Sequence, residues 1–121
     1  MKRVLVLDDE KIVRELIVEI LERASYRVVA ADEPGLALEL LASDSFDLLV
    51  TDLVMPGLSG LAVLERAKAL RPELPVVVVT GAGTDQNLAT AVELGAAAAI
   101  TKPFTHAELR DAVAAALERS P

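Results

Sequence analysis

Short apolar segments alternate with longer amphipathic segments along the whole chain. The short segments are rich in β-branched and other apolar residues, which is typical of strands. The predicted strands are Arg3–Leu7, Tyr26–Ala31, Phe46–Thr51, Leu74–Val79 and Ala97–Thr101. The longer segments repeat apolar residues at helical spacing, and the predicted helices are Lys11–Ala24, Pro34–Ala42, Gly60–Leu70, Asp85–Leu94 and Ala107–Glu118. Successive β-α units of this kind predict a doubly wound α/β domain with a five-stranded parallel sheet and right-handed crossovers.

Residues at the ends of the predicted helices agree with these bounds. Pro34 suits the first turn of a helix, Ser59 can cap the third helix, and Gly95 can end the fourth. The pair Thr105 and Glu108 has the spacing of a capping box at the start of the last helix. The central strands are largely apolar without alternation, which predicts a sheet covered by helices on both faces.

Composition and charge exclude several classes of function. A chain of 121 residues, 53% hydrophobic, is long enough for one domain with its own core. Aromatic residues make up only 2%, so stacking on nucleic-acid bases is not expected. The net charge of −7 argues against binding to a phosphate backbone. The absence of cysteine excludes disulfides, thiolate metal sites and cysteine nucleophiles.

The apolar runs are too short to cross a membrane. Val4–Leu7 and Val76–Val79 each hold four residues, far fewer than a spanning helix needs. The acidic residues that follow Leu7 interrupt what would otherwise be the apolar core of a signal peptide. We therefore expect a cytoplasmic domain with no membrane partner.

Polar residues collect where the predicted strands end. They are Asp8, Asp9 and Glu10 after the first strand, Asp52 after the third, Thr80 after the fourth and Lys102 after the fifth. Each has another explanation when taken alone: an acid at a helix N-terminus, a turn residue, a strand end or a surface lysine. In open α/β sheets, however, ligands bind beyond the carboxyl ends of the strands. The shared position of these residues therefore predicts a functional site.

The residue types at these strand ends suit phosphoryl transfer. Clustered carboxylates repel one another, and a hard cation such as Mg²⁺ relieves the repulsion through oxygen ligands. A carboxylate can also attack phosphorus as a nucleophile. Such a transfer needs mainly positioning and charge neutralisation, which a metal ion and Lys102 can supply. Thr80 can donate a hydrogen bond to a phosphoryl oxygen.

Four segments carry a resemblance to a known family. They are VLVLDDEKIVRELI, LLVTDLVMPGLSG, VVVVTGAG and LGAAAAITKPFTHAEL, in this order along the chain. Together they resemble the receiver domains of bacterial two-component response regulators of the chemotaxis-regulator type. The resemblance implies a flavodoxin-like sheet of order 2-1-3-4-5. It also implies one receiver domain over residues 1–121, which either stands alone or is the N-terminal part of a longer regulator.

The resemblance also implies a role for each acidic residue of the site. Asp52 corresponds to the phosphoacceptor. Asp9 corresponds to the direct Mg²⁺ ligand, and Asp8 would act mainly through metal-bound water. The backbone carbonyl of Val54 would complete the protein's share of the metal shell.

Two further residues and the partners follow from the same resemblance. Thr80 corresponds to the switch hydroxyl that moves toward the phosphoryl group, and Lys102 to the cation that pairs with that group. The resemblance also predicts a cis Lys102-Pro103 bond, which would aim the Lys102 side chain into the site. The donor would be a sensor histidine kinase or a histidine phosphotransfer protein, and the output an attached domain or a downstream protein. The domain would catalyse its own phosphorylation and dephosphorylation rather than act on a metabolite.

Ala99 departs from the family pattern, and two further positions bear on the lifetime of an aspartyl phosphate. Ala99 stands where the family usually has an aromatic residue that turns inward with the switch hydroxyl, so switching is expected to rely on Thr80 and residues 81–84. Val54 and Ala82 stand where the family places residues that flank the water attacking the aspartyl phosphate. Neither side chain can hydrogen-bond that water, which predicts a comparatively long-lived aspartyl phosphate.

Other classes of function are also compatible with the fold. A dinucleotide-binding enzyme would need a glycine-rich first β-α turn, where this chain is acidic. A phosphatase of the haloacid-dehalogenase type would need a second aspartate at the position of Val54. A protein interaction module of the same fold that is silent to phosphorylation remains the alternative. The apolar arc of the first helix, from Ile12 to Ala24, is either core or, at its edge, a docking surface for a kinase helix.

Overall fold

The computed structural model describes residues 1–55, 59–81 and 85–119. Strands and helices alternate through this part of the chain. The strands are β1 Arg3–Leu7, β2 Arg27–Ala31, β3 Leu48–Thr51, β4 Val76–Thr80 and β5 Ala98–Thr101. The helices are α1 Lys11–Arg23, α2 Pro34–Ser43, α3 Gly60–Leu70, α4 Asp85–Glu93 and α5 His106–Arg119. The predicted order and type of every element are confirmed.

The strands form one parallel sheet of order β2-β1-β3-β4-β5. This is the sheet order that the resemblance implied. Leu7 pairs with Thr51, and Thr51 pairs with Val78, so β1 and β3 end at the same level and β4 continues for two more residues. The residues that follow these strands therefore meet at one edge of the sheet.

Helices cover both faces of the sheet, and the strand side chains alternate between them. On β1, Leu5 and Leu7 belong to a cluster that packs against α2, α3 and α4. Val4 and Val6 point the other way, into a cluster with residues of α1 and α5. Every residue of β3 and β4 is buried, as the lack of alternation predicted.

Several strands begin one or two residues later than predicted. The backbone N–H of Tyr26 donates to Leu21 O at 3.1 Å, and that of Leu74 donates to Arg71 O at 3.0 Å. These donors therefore serve a helix end and a turn, and they do not join the sheet. At the other end of β4 the strand extends by one residue to include Thr80.

The predicted caps are present. Ser59 Oγ accepts from Ala62 N at 3.2 Å. Thr105 Oγ1 accepts from Glu108 N at 3.0 Å, and Glu108 Oε1 accepts from Thr105 N at 3.0 Å, which completes the capping box. Gly95 follows α4 with φ +107°, a conformation that glycine adopts without steric cost. The Lys102-Pro103 bond is cis, as predicted.

Within the described ranges, no helix combines the length and the apolar character that crossing a membrane requires.

Candidate functional site

The site begins with an ion-pair cluster at the carboxyl ends of β1, β3 and β5. Lys102 Nζ lies 2.8 Å from Asp52 Oδ2 and 3.0 Å from Asp8 Oδ2. The side chains of Asp8 and Asp52 are only 1% and 5% exposed. Burying two carboxylates is costly unless a cation and hydrogen bonds compensate their charge, and Lys102 supplies that cation.

Backbone amides hold the second oxygen of each buried carboxylate. Glu10 N donates to Asp8 Oδ1 at 2.9 Å, and Val54 N donates to Asp52 Oδ1 at 3.1 Å. Each donor lies two residues beyond its acceptor, so the loop after the strand turns back onto its own aspartate. Both carboxylates are therefore fixed in orientation by an amide on one oxygen and by Lys102 on the other.

A third carboxylate belongs to the cluster. Glu10 Oε1 lies 3.3 Å from Lys102 Nζ, and its side chain is 60% exposed. One oxygen each of Asp8, Glu10 and Asp52 lies within 4.8 Å of the others. The sequence pattern showed Glu10 in the acidic run after β1 but did not predict a role for it. Its position as the third acid in that run was the only signal available.

Asp9 and Val54 occupy more exposed positions. The Asp9 side chain is exposed, and among the described residues the group of mutually close carboxylates does not include it. Val54 is 57% exposed beside Asp52. The roles of Asp9 as a metal ligand and of the Val54 carbonyl in the metal shell stay predictions.

Thr80 is linked to the cluster through the backbone. It is fully buried at the end of β4. Lys102 N donates to Thr80 O at 2.8 Å, and Thr80 pairs with Thr101 across the sheet. The candidate switch residue and the candidate lysine are thus fixed relative to each other by the β4–β5 pairing. Ala82, the other position predicted to flank the attacking water, lies outside the described residues, together with residues 83 and 84.

The pKa values of two site residues are shifted. Burial raises the pKa of the Asp8 carboxyl, although the hydrogen bonds from Glu10 N and Lys102 act in the opposite direction. Burial also tends to lower the pKa of Lys102, but the hydrogen bonds and negative charges of Asp52 and Asp8 outweigh it and raise the pKa above its ordinary value. Lys102 therefore remains cationic at neutral pH.

Gly60 allows the start of α3 to lie close behind the backbone of Asp52. Gly60 N donates to Leu53 O at 2.9 Å. A Cβ atom at this position would lie 2.2 Å from Asp52 O and 2.2 Å from Leu53 Cα. The first residue of α3 therefore has to be glycine for the backbone of Asp52 to lie where it does. The sequence pattern predicted Gly60 only as the first residue of a helix.

The donor set of this site fits a hard divalent cation. The three close carboxylates offer only oxygen ligands, and their total negative charge exceeds the single positive charge of Lys102. Oxygen ligands with excess negative charge are what Mg²⁺ and Ca²⁺ prefer. The arrangement can therefore hold such a cation beside a carboxylate that is able to act as a nucleophile.

Relatives of known family define the class to which this five-stranded doubly wound domain belongs. The family model described as response regulator receiver domain matches residues 4–114. The phosphate regulon transcriptional regulatory protein PhoB of Pseudomonas aeruginosa is 34% identical over 121 residues, covering 98% of this chain and 53% of that protein. Sporulation initiation phosphotransferase F of Bacillus subtilis is 30% identical over 112 residues, which cover 93% of this chain and 90% of that protein.

A solved structure gives the same result. The crystal structure of a response regulator receiver domain protein from Clostridium thermocellum superposes with a TM-score of 0.93 at 31% identity, covering 98% of this chain and 96% of that one. The chain belongs to the response regulator receiver domain family of two-component systems. It spans about half the length of PhoB.

Proposed function

We propose that this receiver domain accepts a phosphoryl group on Asp52. A carboxylate oxygen of Asp52 attacks phosphorus and forms a P–O bond. The bond between phosphorus and the donor breaks at the same time, and the electron pair of that bond leaves with the donor, an imidazole nitrogen or a small acid. The observation that carries this proposal is the position of Asp52, nearly buried but at the strand edge, 2.8 Å from Lys102 Nζ.

The surroundings of Asp52 support its role as the nucleophile. Val54 N orients Oδ1, and Lys102 orients Oδ2. Each carboxylate oxygen has two lone pairs, so these single hydrogen bonds leave lone pairs for attack on phosphorus. Lys102 can then neutralise negative charge on the transferred group, because its ammonium already lies at this carboxylate.

The site residues also support a resident Mg²⁺. We assign its protein ligands to Asp9 and Asp52 and to the carbonyl of Val54, with Asp8 acting through metal-bound water. When bound, the ion supplies positive charge that offsets the negative charges of the carboxylates and the phosphoryl oxygens. The close set of Asp8, Glu10 and Asp52 supports a cation at this place, and its oxygen donors suit a hard metal.

Phosphorylation would be transmitted through Thr80 and Lys102. The backbone bond from Lys102 N to Thr80 O joins the ends of β4 and β5, so movement at one strand end reaches the other. Ala99, half-buried on β5, has no ring to rotate. We therefore place the switch at the end of β4 and in the residues that follow it.

The docking surface for the phosphoryl donor is the exposed edge of α1. Ile12 is 82% exposed and Leu16 38% exposed, whereas Ile17 and Leu21 on the same helix are buried. The apolar arc of α1 is therefore core along one side and surface along its edge. A cavity of about 400 Å³ lies beside this edge, lined by Glu10, Val13, Leu16, Lys102, Pro103 and Phe104.

This apolar edge next to the acceptor suits a helix of a sensor histidine kinase or a histidine phosphotransfer protein. Relatives such as PhoB are about twice as long as this chain, and PhoB is named as a transcriptional regulator. We therefore propose that residues 1–121 act as the receiver of a cytoplasmic signalling pathway, through an output domain or a downstream protein.

The test is intact-mass spectrometry after incubation with acetyl phosphate and Mg²⁺. The native chain is expected to gain one phosphoryl group, and Asp52→Asn is expected to gain none. Asp111→Asn, which changes an exposed carboxylate on α5, serves as the matched control and should be phosphorylated like the native chain. Chelation by EDTA should abolish the gain. A native chain that takes no phosphate would instead favour the interaction module that is silent to phosphorylation.

A further inference from the structure

The ammonium group of Lys102 contacts three carboxylates in the site. An ammonium group carries three N–H donors. Asp52, Asp8 and Glu10 each place a carboxylate oxygen within 3.3 Å of Nζ, so all three donors have a partner. A phosphoryl oxygen that arrives at Lys102 must therefore replace one of these carboxylates.

Glu10 is the partner that Lys102 loses most easily. Its contact is the longest of the three at 3.3 Å, and its side chain is 60% exposed. Exposed ion pairs contribute little to stability, because water solvates the separated charges almost as well. Release of Asp8 or Asp52 would instead leave a buried carboxylate without its cation, which is strongly unfavourable.

The backbone fixes Glu10 while leaving its side chain able to exchange partners. Glu10 N donates to Asp8 Oδ1 at 2.9 Å, and Glu10 O accepts from Arg14 N at 2.9 Å. Glu10 is the N-cap residue of α1, but its side chain makes no capping hydrogen bond to the helix. The carboxylate is directed to Lys102 from a fixed point on the rim of the site.

Glu10 also adds negative charge where an anionic phosphoryl donor has to enter. It lines the cavity beside α1 together with Lys102 and Phe104. A free anionic donor approaches through solvent, and the negative charge of Glu10 repels it at long range. Salt screens this repulsion. A donor protein docked over the cavity would cover Glu10, and its own polar groups would compete with Lys102 for the carboxylate.

Resting on the proposed function, we infer that Glu10 is a positioning residue that selects the phosphoryl donor. It holds one N–H donor of Lys102 until a phosphoryl oxygen replaces it. Its charge slows phosphorylation by free anionic donors relative to a donor protein docked on α1. Glu10 therefore protects the site from phosphorylation by small metabolites.

The experiment measures the initial rate of phosphorylation by intact-mass spectrometry, with acetyl phosphate at saturating Mg²⁺. Calorimetry of Mg²⁺ binding sets the saturating concentration for each variant. Glu10→Gln is expected to react about three- to tenfold faster than the native chain at low ionic strength, because one charge near the donor's path is removed. The difference should shrink as salt is added.

Two variants and a second donor separate this role from a structural one. Glu15→Gln removes an equal charge from an exposed position on the same helix and should change the rate less than twofold. Glu10→Asp keeps the charge and should restore most of the native rate. With phosphoramidate, which carries less negative charge than acetyl phosphate, Glu10→Gln should accelerate the reaction less.

The outcomes distinguish the inference from the function on which it rests. If the native chain is phosphorylated but Glu10→Gln reacts no faster than Glu15→Gln, the role of Glu10 is overturned and the proposed function stands. An acceleration that is independent of salt and of donor charge would also overturn it. If the native chain takes no phosphate from any donor at saturating Mg²⁺, both proposals are wrong.

Discussion

Lys102 is the residue on which the site depends most directly. Its ammonium joins carboxylates that follow β1 and β3, whereas its backbone N–H bonds to Thr80 at the end of β4. The side chain therefore compensates the buried negative charge, and the main chain fixes the position from which it does so. A receiver site needs both, because a misplaced cation would leave Asp52 buried without compensation.

Val54 is expected to prolong the life of the aspartyl phosphate. It is 57% exposed and lies close to Asp52, and its side chain has no group that can orient a water molecule. The aspartyl phosphate of Val54→Asn should hydrolyse roughly three- to tenfold faster than that of the native chain, because in-line attack by water depends on positioning. This corresponds to an activation barrier lower by about 0.7–1.4 kcal/mol.

Phosphate release from the phosphorylated chains measures this effect. Val92→Asn is the matched control, since Val92 is also 57% exposed but lies on α4. Its rate of release should equal that of the native chain. Slower release from Val54→Asn would contradict the argument and point to another residue as the one that orients the water.

At the level of elements, the end of β1 and the start of α3 set the position of Asp52. Asp52 N donates to Leu7 O at 3.2 Å, and Gly60 N donates to Leu53 O at 2.9 Å. The residue after β3 is thus held by β1 on one side and by the start of α3 on the other. The capping bond of Ser59 Oγ to Ala62 N fixes the same helix start.

Gly60→Ala is expected to destabilise the domain by about 1–3 kcal/mol or more. The added Cβ would meet backbone atoms of Asp52 and Leu53 at 2.2 Å, and backbone cannot move aside as a flexible side chain can. Urea unfolding followed by circular dichroism measures the loss.

Gly35→Ala provides the comparison for this element. A Cβ there would meet only the end of the Glu33 side chain, at 3.3 Å, in the first turn of α2. Its free energy of unfolding should stay within about 1 kcal/mol of the native value. Equal effects of the two substitutions would show that the close approach behind Asp52 does not constrain the fold.

The sequence predicted the elements well, because local patterns determine them. Helical periodicity in α1 and the apolar runs of β3 and β4 are visible in any short window of residues. The caps at Ser59 and Thr105 depend on residues three apart and were equally visible. Strand starts were less accurate because they depend on where single backbone donors bond, as for Tyr26.

The site was only partly predictable, for a physical reason. The acidic run after β1 was evident, but the local turn decides which acid faces Lys102, and it selects Asp8 and Glu10. The need for glycine at position 60 arises from the approach of two segments in space, which no local pattern records.

At the scale of the whole molecule, charge limits the range of partners. The net charge is −7, and several of the negative charges gather at the strand ends. Binding to a nucleic-acid backbone requires a cluster of cations that release counterions, and an acidic domain repels the phosphates instead. PhoB is named as a transcriptional regulatory protein. A role of that kind that involves DNA binding would need residues outside this domain.

The isolated chain should therefore show no measurable binding to duplex DNA at physiological salt. Fluorescence anisotropy of a labelled duplex, titrated with the phosphorylated and unphosphorylated chain, tests this. Addition of Mg²⁺ should make no difference. Binding that weakens steeply as salt is raised would show that the domain carries a basic surface despite its net charge.

The sheet order has a consequence for the assembly of the molecule. Lys102 reaches Asp52 across 50 residues of sequence and Asp8 across 94. The proposed acceptor site is thus complete only when the first, third and last strands have all joined the sheet. A nascent or partly unfolded chain cannot present it, so the phosphoryl mark would be carried only by molecules whose folding is finished. Signalling and quality control would then be a single event.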